Sequence, residues 1–115
     1  MRILILEDEP LIAMDLEDVV RDALPADVCL ANTLAEAVAE LSQGIDFALL
    51  DIELRDPGET SLPLAQELTR RNVPYCFVSS AVDRLPATYA EVPKVRKPFQ
   101  PADIAALLSP LSAQA

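Results

Sequence analysis

The 115-residue chain contains no histidine. Catalysis by a Ser-His-Asp triad and metal sites built on histidine ligands are therefore excluded. The chain also cannot act as a phosphohistidine donor, because that role needs an imidazole nitrogen to carry the phosphoryl group.

Glycine and cysteine are scarce, with two residues of each. Two glycines cannot supply a phosphate-cradling loop, so a flavin- or nucleotide-binding domain is the least favoured class. Cys29 and Cys76 both fall in predicted strands, where a thiol is most often a small buried hydrophobic group. We therefore expect neither a disulfide nor a cysteine-based metal site.

Basic residues are also few, because 9 Lys and Arg stand against 19 Asp and Glu and give a net charge of -10. Direct binding to nucleic acid is disfavoured, since it depends on neutralising phosphates with Lys and Arg. A cationic partner or a bound cation fits the charge better. The apolar runs are too short to cross a bilayer, and the N-terminus lacks a secretory signal pattern, so we expect a cytoplasmic protein without membrane contact.

Length and composition indicate one globular domain over residues 1–115. Hydrophobic residues make up 51% of the chain, which is enough to bury one ordinary core. No repeated block or low-complexity stretch divides the chain.

Short apolar runs alternate with helical patterns along most of the chain. The predicted strands cover residues 2–6, 27–31, 45–50, 74–78 and 92–95. The predicted helices run from Pro10 to about residue 24, from a cap at Asn32 or Thr33 to Gly44, over residues 62–72 and from Pro101 onward. Residues 53–61, with Asp56-Pro57-Gly58, are predicted to form a loop.

Three details of this prediction are specific. Leu34, Val38 and Leu41 should share the buried face of the second helix. Any helix within residues 81–91 should be short and mobile, because the segment contains a proline and few apolar residues at helical spacing. Pro93 restricts the fifth strand to an edge of the sheet, since proline cannot donate a backbone hydrogen bond.

Five strands that alternate with helices predict an α/β fold, a doubly wound parallel sheet with helices on both faces. We assume the strand order 2-1-3-4-5, which is the order of flavodoxin. In this order the chain reverses direction between strands 1 and 3, and ligands bind outside the carboxyl ends of the strands there.

Polar residues stand at the carboxyl ends of the predicted strands. Glu7 and Asp8 end the first strand, Asp51 the third and Ser79 the fourth, while Lys97 follows the fifth. Because the strands are parallel, these residues should meet in one shallow crevice.

Three carboxylates in one crevice would repel each other by about 4 kcal/mol per close pair at an effective dielectric constant near 20. A divalent cation would offset this repulsion, and Mg²⁺ binds through one or two carboxylates, waters and phosphate oxygens. We expect Asp8 and Asp51 to contact Mg²⁺ directly and Glu7 to act through a water molecule.

Asp51 is the candidate phosphoacceptor, because a carboxylate can attack phosphorus and form an acyl phosphate. The Lys97 ammonium would neutralise the phosphoryl oxygens on the side opposite Mg²⁺. The Ser79 hydroxyl could donate a hydrogen bond to one of those oxygens.

These segments together resemble a response regulator receiver domain over the whole chain. The matching stretches are Ile3-Leu4-Ile5-Leu6-Glu7-Asp8-Glu9, Leu49-Leu50-Asp51, Pro74-Tyr75-Cys76-Phe77-Val78-Ser79 and Lys97-Pro98-Phe99. The stretch from Phe77 through Ser79-Ser80-Ala81 to Phe99 is similar to single-domain receivers named after a Phe-Ala-Thr-Gly-Tyr-like motif.

The resemblance implies a CheY-like fold and a role in a two-component phosphorelay. A histidine kinase or histidine phosphotransfer protein would phosphorylate Asp51, and the backbone carbonyl of Glu53 would be a further Mg²⁺ ligand. Pro98 would follow a cis peptide bond. We expect a stand-alone phosphoacceptor without an output domain, monomeric or weakly dimeric, which assists its own phosphorylation and dephosphorylation but is not an enzyme.

The chain departs from the family pattern at several positions. Glu7 replaces the commoner Asp, and Ser79 replaces the usual Thr. Ser80 and Ala81 stand where the motif has Gly and Tyr. Lys94 occupies the position of the switch aromatic, so we hypothesise that phosphorylation instead orders residues 80–93 through Ser79 and Lys97.

Two other function classes remain open. A small phosphatase or phosphotransferase of the haloacid-dehalogenase kind would use Asp51 as nucleophile and a second acid two residues later, where Glu53 stands. The chain length, however, leaves no room for a cap or substrate pocket. A pseudo-receiver that binds a partner without phosphorylation is the other class. The departures at Ser79, Ser80 and Lys94 keep it open, whereas the retention of every acidic site residue and of Lys97 counts against it.

Overall fold

A computed structural model describes residues 1–54 and 58–112 of the chain. Within these ranges the strands are β1 (Arg2–Leu6), β2 (Asp27–Ala31), β3 (Phe47–Leu50), β4 (Tyr75–Ser79) and β5 (Lys94–Arg96). The α-helices are α1 (Pro10–Ala23), α2 (Leu34–Glu40), α3 (Leu62–Arg70) and α4 (Pro101–Ser112). Short 3-10 turns cover Leu41–Gln43, Val82–Arg84 and Ala87–Tyr89.

The five strands form one parallel sheet in the order β2-β1-β3-β4-β5. This result confirms the predicted doubly wound fold and its strand order. Leu6 pairs with Leu50, and Ser79 pairs with Arg96, so the carboxyl ends of β1 and β3, and of β4 and β5, are aligned. The residues that follow these strands therefore emerge side by side at one edge of the sheet.

Both faces of the sheet are buried. Alternate residues of β1 separate into two core layers: Leu4 and Leu6 lie in one, and Ile3 and Ile5 lie in the other. The first layer includes Ala37, Leu64 and Leu68 from α2 and α3, and the second includes Leu16, Val20, Ile104 and Leu108 from α1 and α4. A strand buried on both faces needs apolar residues at every position, which explains the continuous apolar runs.

The helix starts follow local sequence signals. Pro10 occupies the first turn of α1, where its missing N–H would have no intrahelical partner. Thr33, rather than Asn32, caps α2, because its hydroxyl accepts a hydrogen bond from the backbone N–H of Glu36. The Glu36 carboxylate in turn accepts from the backbone N–H of Asn32. Gly44 ends this segment with a φ of 83°, a conformation that glycine adopts without strain.

The prediction for the buried face of α2 was wrong at Val38, whose residue surface is 49% exposed. Ala37 is fully buried in its place. Leu34, Ala37 and Leu41, at spacing i, i+3 and i+7, pack against the same core layer. Val38 follows Ala37 and therefore lies about 100° further around the helix, toward solvent.

The boundaries of three strands also differ from the prediction. β3 begins at Phe47 rather than at residue 45, and β4 extends to Ser79. β5 spans Lys94–Arg96 rather than residues 92–95. It does lie at an edge of the sheet, as the proline predicted. The Pro93 carbonyl accepts a hydrogen bond from the backbone N–H of Phe77, so Pro93 ends the irregular segment before β5 begins.

Residues 81–91 form two 3-10 turns and no α-helix, which confirms that any helix there is short. Arg55, Asp56 and Pro57 of the predicted 53–61 loop lie outside the described residues. In the described part of that loop, Glu53 and Thr60 pair in an isolated antiparallel bridge.

Cys29 lies in β2 and Cys76 in β4, and both are free thiols, as expected. Burial raises the pKa of the Cys76 thiol far above its usual range, so it behaves as a hydrophobic core residue. Among the described residues, no helix has both the length and the apolar character that crossing a membrane requires.

Candidate functional site

Three carboxylates meet at the carboxyl edge of the sheet. Glu7, Asp8 and Asp51 each place a carboxylate oxygen within 4.8 Å of the others. The cause is the register of β1 and β3, because the backbone N–H of Asp51 donates to the carbonyl of Leu6 at 2.9 Å. The site therefore forms from residues 43 or 44 positions apart in sequence, as their positions after adjacent strands predicted.

Lys97 joins this cluster from the fifth strand. Its Nζ lies 2.5 Å from Glu7 Oε1 and 3.0 Å from Asp51 Oδ2. The backbone N–H of Lys97 donates to the carbonyl of Ser79 at 3.1 Å, which fixes the start of the loop after β5. The Lys97–Pro98 peptide bond is cis, as the family resemblance implied.

Asp51 is held by both of its carboxylate oxygens. Oδ1 accepts a hydrogen bond from the backbone N–H of Ile52 at 2.7 Å, and Oδ2 accepts from Lys97. Asp51 is buried, with 8% of the residue surface exposed. This carboxylate has a fixed orientation toward the crevice.

Glu7 is the most buried carboxylate of the site, with 1% of its surface exposed. Burial raises the pKa of its carboxyl to about 7; the hydrogen bond from Lys97 opposes this increase, and the neighbouring Asp51 charge adds to it. Burial acts to lower the pKa of the Lys97 ammonium, but its hydrogen bond to Glu7 and the charge of Asp51 outweigh burial and raise it. The pair therefore keeps a charged ammonium beside Asp51.

The donor set fits Mg²⁺. Carboxylate oxygens are the hard ligands that this ion prefers, and here three of them converge. One ammonium cannot compensate the three carboxylates once all of them are ionised, so a divalent cation would lower the remaining electrostatic repulsion. Asp8 and Asp51 are the residues that would hold the ion, with Glu7 close enough to act through water.

The side chain of Glu53 does not belong to the carboxylate cluster. Its Oε1 lies 2.5 Å from Arg84 Nη1 instead. The predicted role of Glu53 as a ligand concerns only its backbone carbonyl, and this role stays a prediction.

Ser79 ends β4 with 1% of its surface exposed. Its Oγ accepts a hydrogen bond from the backbone N–H of Ala81 at 3.1 Å. The oxygen is the acceptor in this bond, so the hydroxyl proton remains available to a second acceptor. The predicted switch role of Ser79 is compatible with this geometry.

Sequence reasoning missed the contacts of the irregular segment that follows β4. Arg84 pairs with Glu53, and Asp83 pairs with Arg96 at 2.6 Å. No periodic pattern connects these residues. The one signal in the sequence was an acidic residue next to a basic one, Asp83 and Arg84, which could have indicated ion pairs with the charged residues around the site.

The missed aromatic residue is Tyr89, which is buried against Phe77 with ring centroids 5.7 Å apart in an edge-to-face arrangement. Lys94, at the position of the switch aromatic, donates from Nζ to the carbonyls of Ala90 and Val92. A ring from the turn before β5 therefore packs against β4, while Lys94 holds the backbone of that turn.

The sheet order and the helices on both faces define the CheY-like class of the flavodoxin-like folds. No protein-family model matches the chain. The solution structure of SdrG from Sphingomonas melonis Fr1 superposes with a TM-score of 0.82 at 39% identity, covering 96% of this chain and 95% of that one. Together with the receiver domain of the PhyR response regulator described next, this match shows that the chain belongs to the response regulator receiver family.

Two further comparisons agree. The receiver domain of PhyR from Erythrobacter litoralis matches at 32% identity and a TM-score of 0.82, covering 95% of this chain and 87% of that one. The phyllosphere-induced regulator PhyR of Methylorubrum extorquens is 38% identical over 112 residues, which are 93% of this chain and 42% of the relative. The chain thus spans about two fifths of the length of this curated relative.

Proposed function

We propose that this chain is a phosphoacceptor receiver, in which Asp51 takes a phosphoryl group from a histidine kinase or a histidine phosphotransfer protein with the help of Mg²⁺. The observation that carries the proposal is the placement of Lys97 Nζ between Glu7 and Asp51, beside the third carboxylate, Asp8. This arrangement provides a nucleophilic oxygen, a cation and an acidic pocket within one crevice.

The transfer itself is simple. An oxygen of Asp51 forms a bond to phosphorus while the bond between phosphorus and the donor imidazole nitrogen breaks, and the electron pair of that bond returns to the imidazole. Bound Mg²⁺ would supply charge neutralisation at the phosphoryl oxygens. The backbone N–H of Ile52 fixes the direction of the Asp51 carboxylate. The Lys97 ammonium, which contacts the Asp51 carboxylate before transfer, would stabilise the negative charge on the phosphoryl oxygens after it.

After transfer, the partner-binding surface changes through Ser79 and Lys97. A phosphoryl group adds about two negative charges and further acceptor oxygens at Asp51. Lys97 would leave Glu7 for the phosphoryl group, and the Ser79 hydroxyl would donate to it. Both residues border residues 80–93, so this segment would reorganise and alter partner binding.

Relatives support this proposal. SdrG from Pseudomonas melonis Fr1, 38% identical, is known in a BeF3-activated conformation. BeF3 at a carboxylate would imitate a phosphoryl group in its charge and shape. PhyR from Bartonella quintana, 31% identical over a match that covers 50% of that chain, is named an anti-anti-sigma factor, and a protein partner for this chain would agree with that name.

A phosphorylation-independent pseudo-receiver is the second candidate. The use of Lys94 as a donor to backbone carbonyls favours it, because this position then has no aromatic ring that could turn inward as the usual switch residue does. In this case a partner would bind wild type and the Asp51→Asn variant equally well.

Intact-mass spectrometry tests the main proposal. The chain is incubated with a small phosphodonor and Mg²⁺, alongside the Asp51→Asn variant and a sample with chelator. We expect one added phosphoryl group on wild type and none in either control. An unmodified wild-type chain would favour the pseudo-receiver.

A further inference from the structure

The turn Val82–Arg84 forms one ion pair on each side of the site. In one pair the turn supplies the base, and in the other it supplies the acid. Arg84 Nη1 lies 2.5 Å from Glu53 Oε1, on the β3 side. Asp83 Oδ1 lies 2.6 Å from Arg96 Nη2, on the β5 side. Two consecutive residues therefore connect the loop after the acceptor strand to the strand that ends before Lys97.

The turn is also connected to the switch hydroxyl. The backbone N–H of Ala81 donates to Ser79 Oγ, and the backbone N–H of Arg84 donates to the Ala81 carbonyl. The backbone of Arg84 is thus linked to Ser79 through two consecutive hydrogen bonds.

Glu53 stands two residues after Asp51, and its backbone is fixed by the bridge to Thr60. With the backbone fixed, the direction of its carboxylate depends on its side-chain partner. In this structure that partner is the Arg84 guanidinium. Without Arg84, the Glu53 carboxylate would be free to act as a base, two residues after the phosphorylated Asp51.

We propose that Arg84 is a positioning residue that holds the Glu53 carboxylate away from the phosphoryl group and so lengthens the life of the acyl phosphate. The inference rests on the proposed function of Asp51 as phosphoacceptor. In hydrolysis, a water oxygen forms a bond to phosphorus and the bond from phosphorus to the Asp51 oxygen breaks, with its electron pair restoring the carboxylate. One proton of the water passes to Glu53 when that carboxylate is free, and from there to solvent, leaving inorganic phosphate.

The exposure of the pair limits the size of the effect. The side chains of Arg84 and Glu53 are 74% and 51% exposed. Exposed ion pairs change an equilibrium by a factor of about five at most. We therefore expect the Arg84→Gln variant to lose its phosphoryl group about three to five times faster than wild type.

The test is the lifetime of the acyl phosphate, followed by intact mass after removal of the phosphodonor. Arg71→Gln is the matched control, because Arg71 also pairs with an exposed carboxylate, Glu67, but on α3. Arg84→Gln should shorten the lifetime, Arg84→Lys should restore most of it, and Arg71→Gln should leave it unchanged. In a Glu53→Gln background, Arg84→Gln should have no effect.

The salt dependence of the acyl-phosphate lifetime distinguishes this role from a purely structural role of Arg84. In 1 M salt the screening length falls to about 3 Å, so the exposed pair weakens. The wild-type lifetime should then approach that of Arg84→Gln, whereas the lifetime of the variant should change little.

The outcomes separate this inference from the proposed function. If wild type takes up no phosphoryl group, the proposed function fails and this inference with it. If wild type is phosphorylated but Arg84→Gln has the wild-type lifetime, or shortens it equally in the Glu53→Gln background, only the role of Arg84 is wrong.

Discussion

The ammonium of Lys97 lies closer to Glu7 than to Asp51, at 2.5 Å from Glu7 Oε1. The two residues are 90 positions apart in sequence, and their side chains are 13% and 1% exposed. Removing either partner of this buried contact is costly, because the remaining polar or charged group is left without a partner. Glu7 therefore holds the Lys97 ammonium beside Asp51.

Replacing Lys97 should abolish efficient phosphorylation. Lys97→Met removes the positive charge at the phosphoryl oxygens, and loss of one such stabilising group typically lowers a rate by a factor of about 10² to 10³. The measurement is the rate of phosphorylation by a small phosphodonor with saturating Mg²⁺. Lys94→Met is the control, since Lys94 donates to the backbone carbonyls of Ala90 and Val92, outside the site. A rate for Lys97→Met within threefold of wild type would contradict the role given to Lys97.

The raised pKa of Glu7 should make the metal-free protein less stable as the pH rises. The folded state keeps a proton on Glu7 up to a pKa of about 7, against an ordinary value of 4.5. Between these two values the folded chain binds more protons than the unfolded chain, so the free energy of unfolding decreases with increasing pH. The slope from this one group is at most about 1.4 kcal/mol per pH unit.

Urea unfolding from pH 5 to pH 8, with chelator present, measures this slope. Glu7→Gln should flatten it. Glu67→Gln is the control, because the hydrogen bonds from Arg70 and Arg71 lower the pKa of Glu67 to about 2, outside the window. An equal slope in wild type and Glu7→Gln would show that Glu7 ionises normally.

The segment of residues 80–93 should become more ordered when the acceptor is occupied. BeF3 with Mg²⁺ should draw Lys97 and the Ser79 hydroxyl toward Asp51, and both residues border the segment through backbone hydrogen bonds. Amide hydrogen exchange should therefore slow in residues 80–93 and stay unchanged in α3. Unchanged exchange in residues 80–93 would refute the order-disorder hypothesis.

Tyr89 should contribute strongly to stability, although it lies in an irregular segment. The residue is 6% exposed and its ring packs edge to face on Phe77, so Tyr89→Ala should lower the free energy of unfolding by about 3 kcal/mol. Val38→Ala should change it by less than about 0.5 kcal/mol, because Val38 faces solvent. Chemical denaturation compares the two variants with wild type. A larger loss at Val38 than at Tyr89 would contradict the packing described here.

The sheet was predictable because each central strand is buried on both faces and reads as an unbroken apolar run. Ile3 to Leu6 and Phe47 to Leu50 are examples. The site followed from the same fact: a residue that ends one parallel strand lies beside the residue that ends its neighbour. Glu7, Asp8 and Asp51 were therefore brought together by topology alone.

The irregular segment between β4 and β5 could not be predicted in the same way. Its structure depends on single contacts rather than on a repeating pattern: the ion pairs of Asp83 and Arg84, the buried ring of Tyr89 and the carbonyl of Pro93. Val38 was misplaced for a related reason. In a helix as short as α2, one residue of difference in phase decides which side chain is buried.

The most direct test of the central claim is to locate the phosphoryl group. After phosphorylation with a small phosphodonor and Mg²⁺, borohydride reduces an acyl phosphate to an alcohol, and peptide mass spectrometry identifies the converted residue among the 19 acidic side chains. We predict conversion at Asp51 alone, and none when Mg²⁺ is removed. Conversion at Glu7, at Asp8 or at no residue would contradict the assignment of Asp51 as the phosphoacceptor.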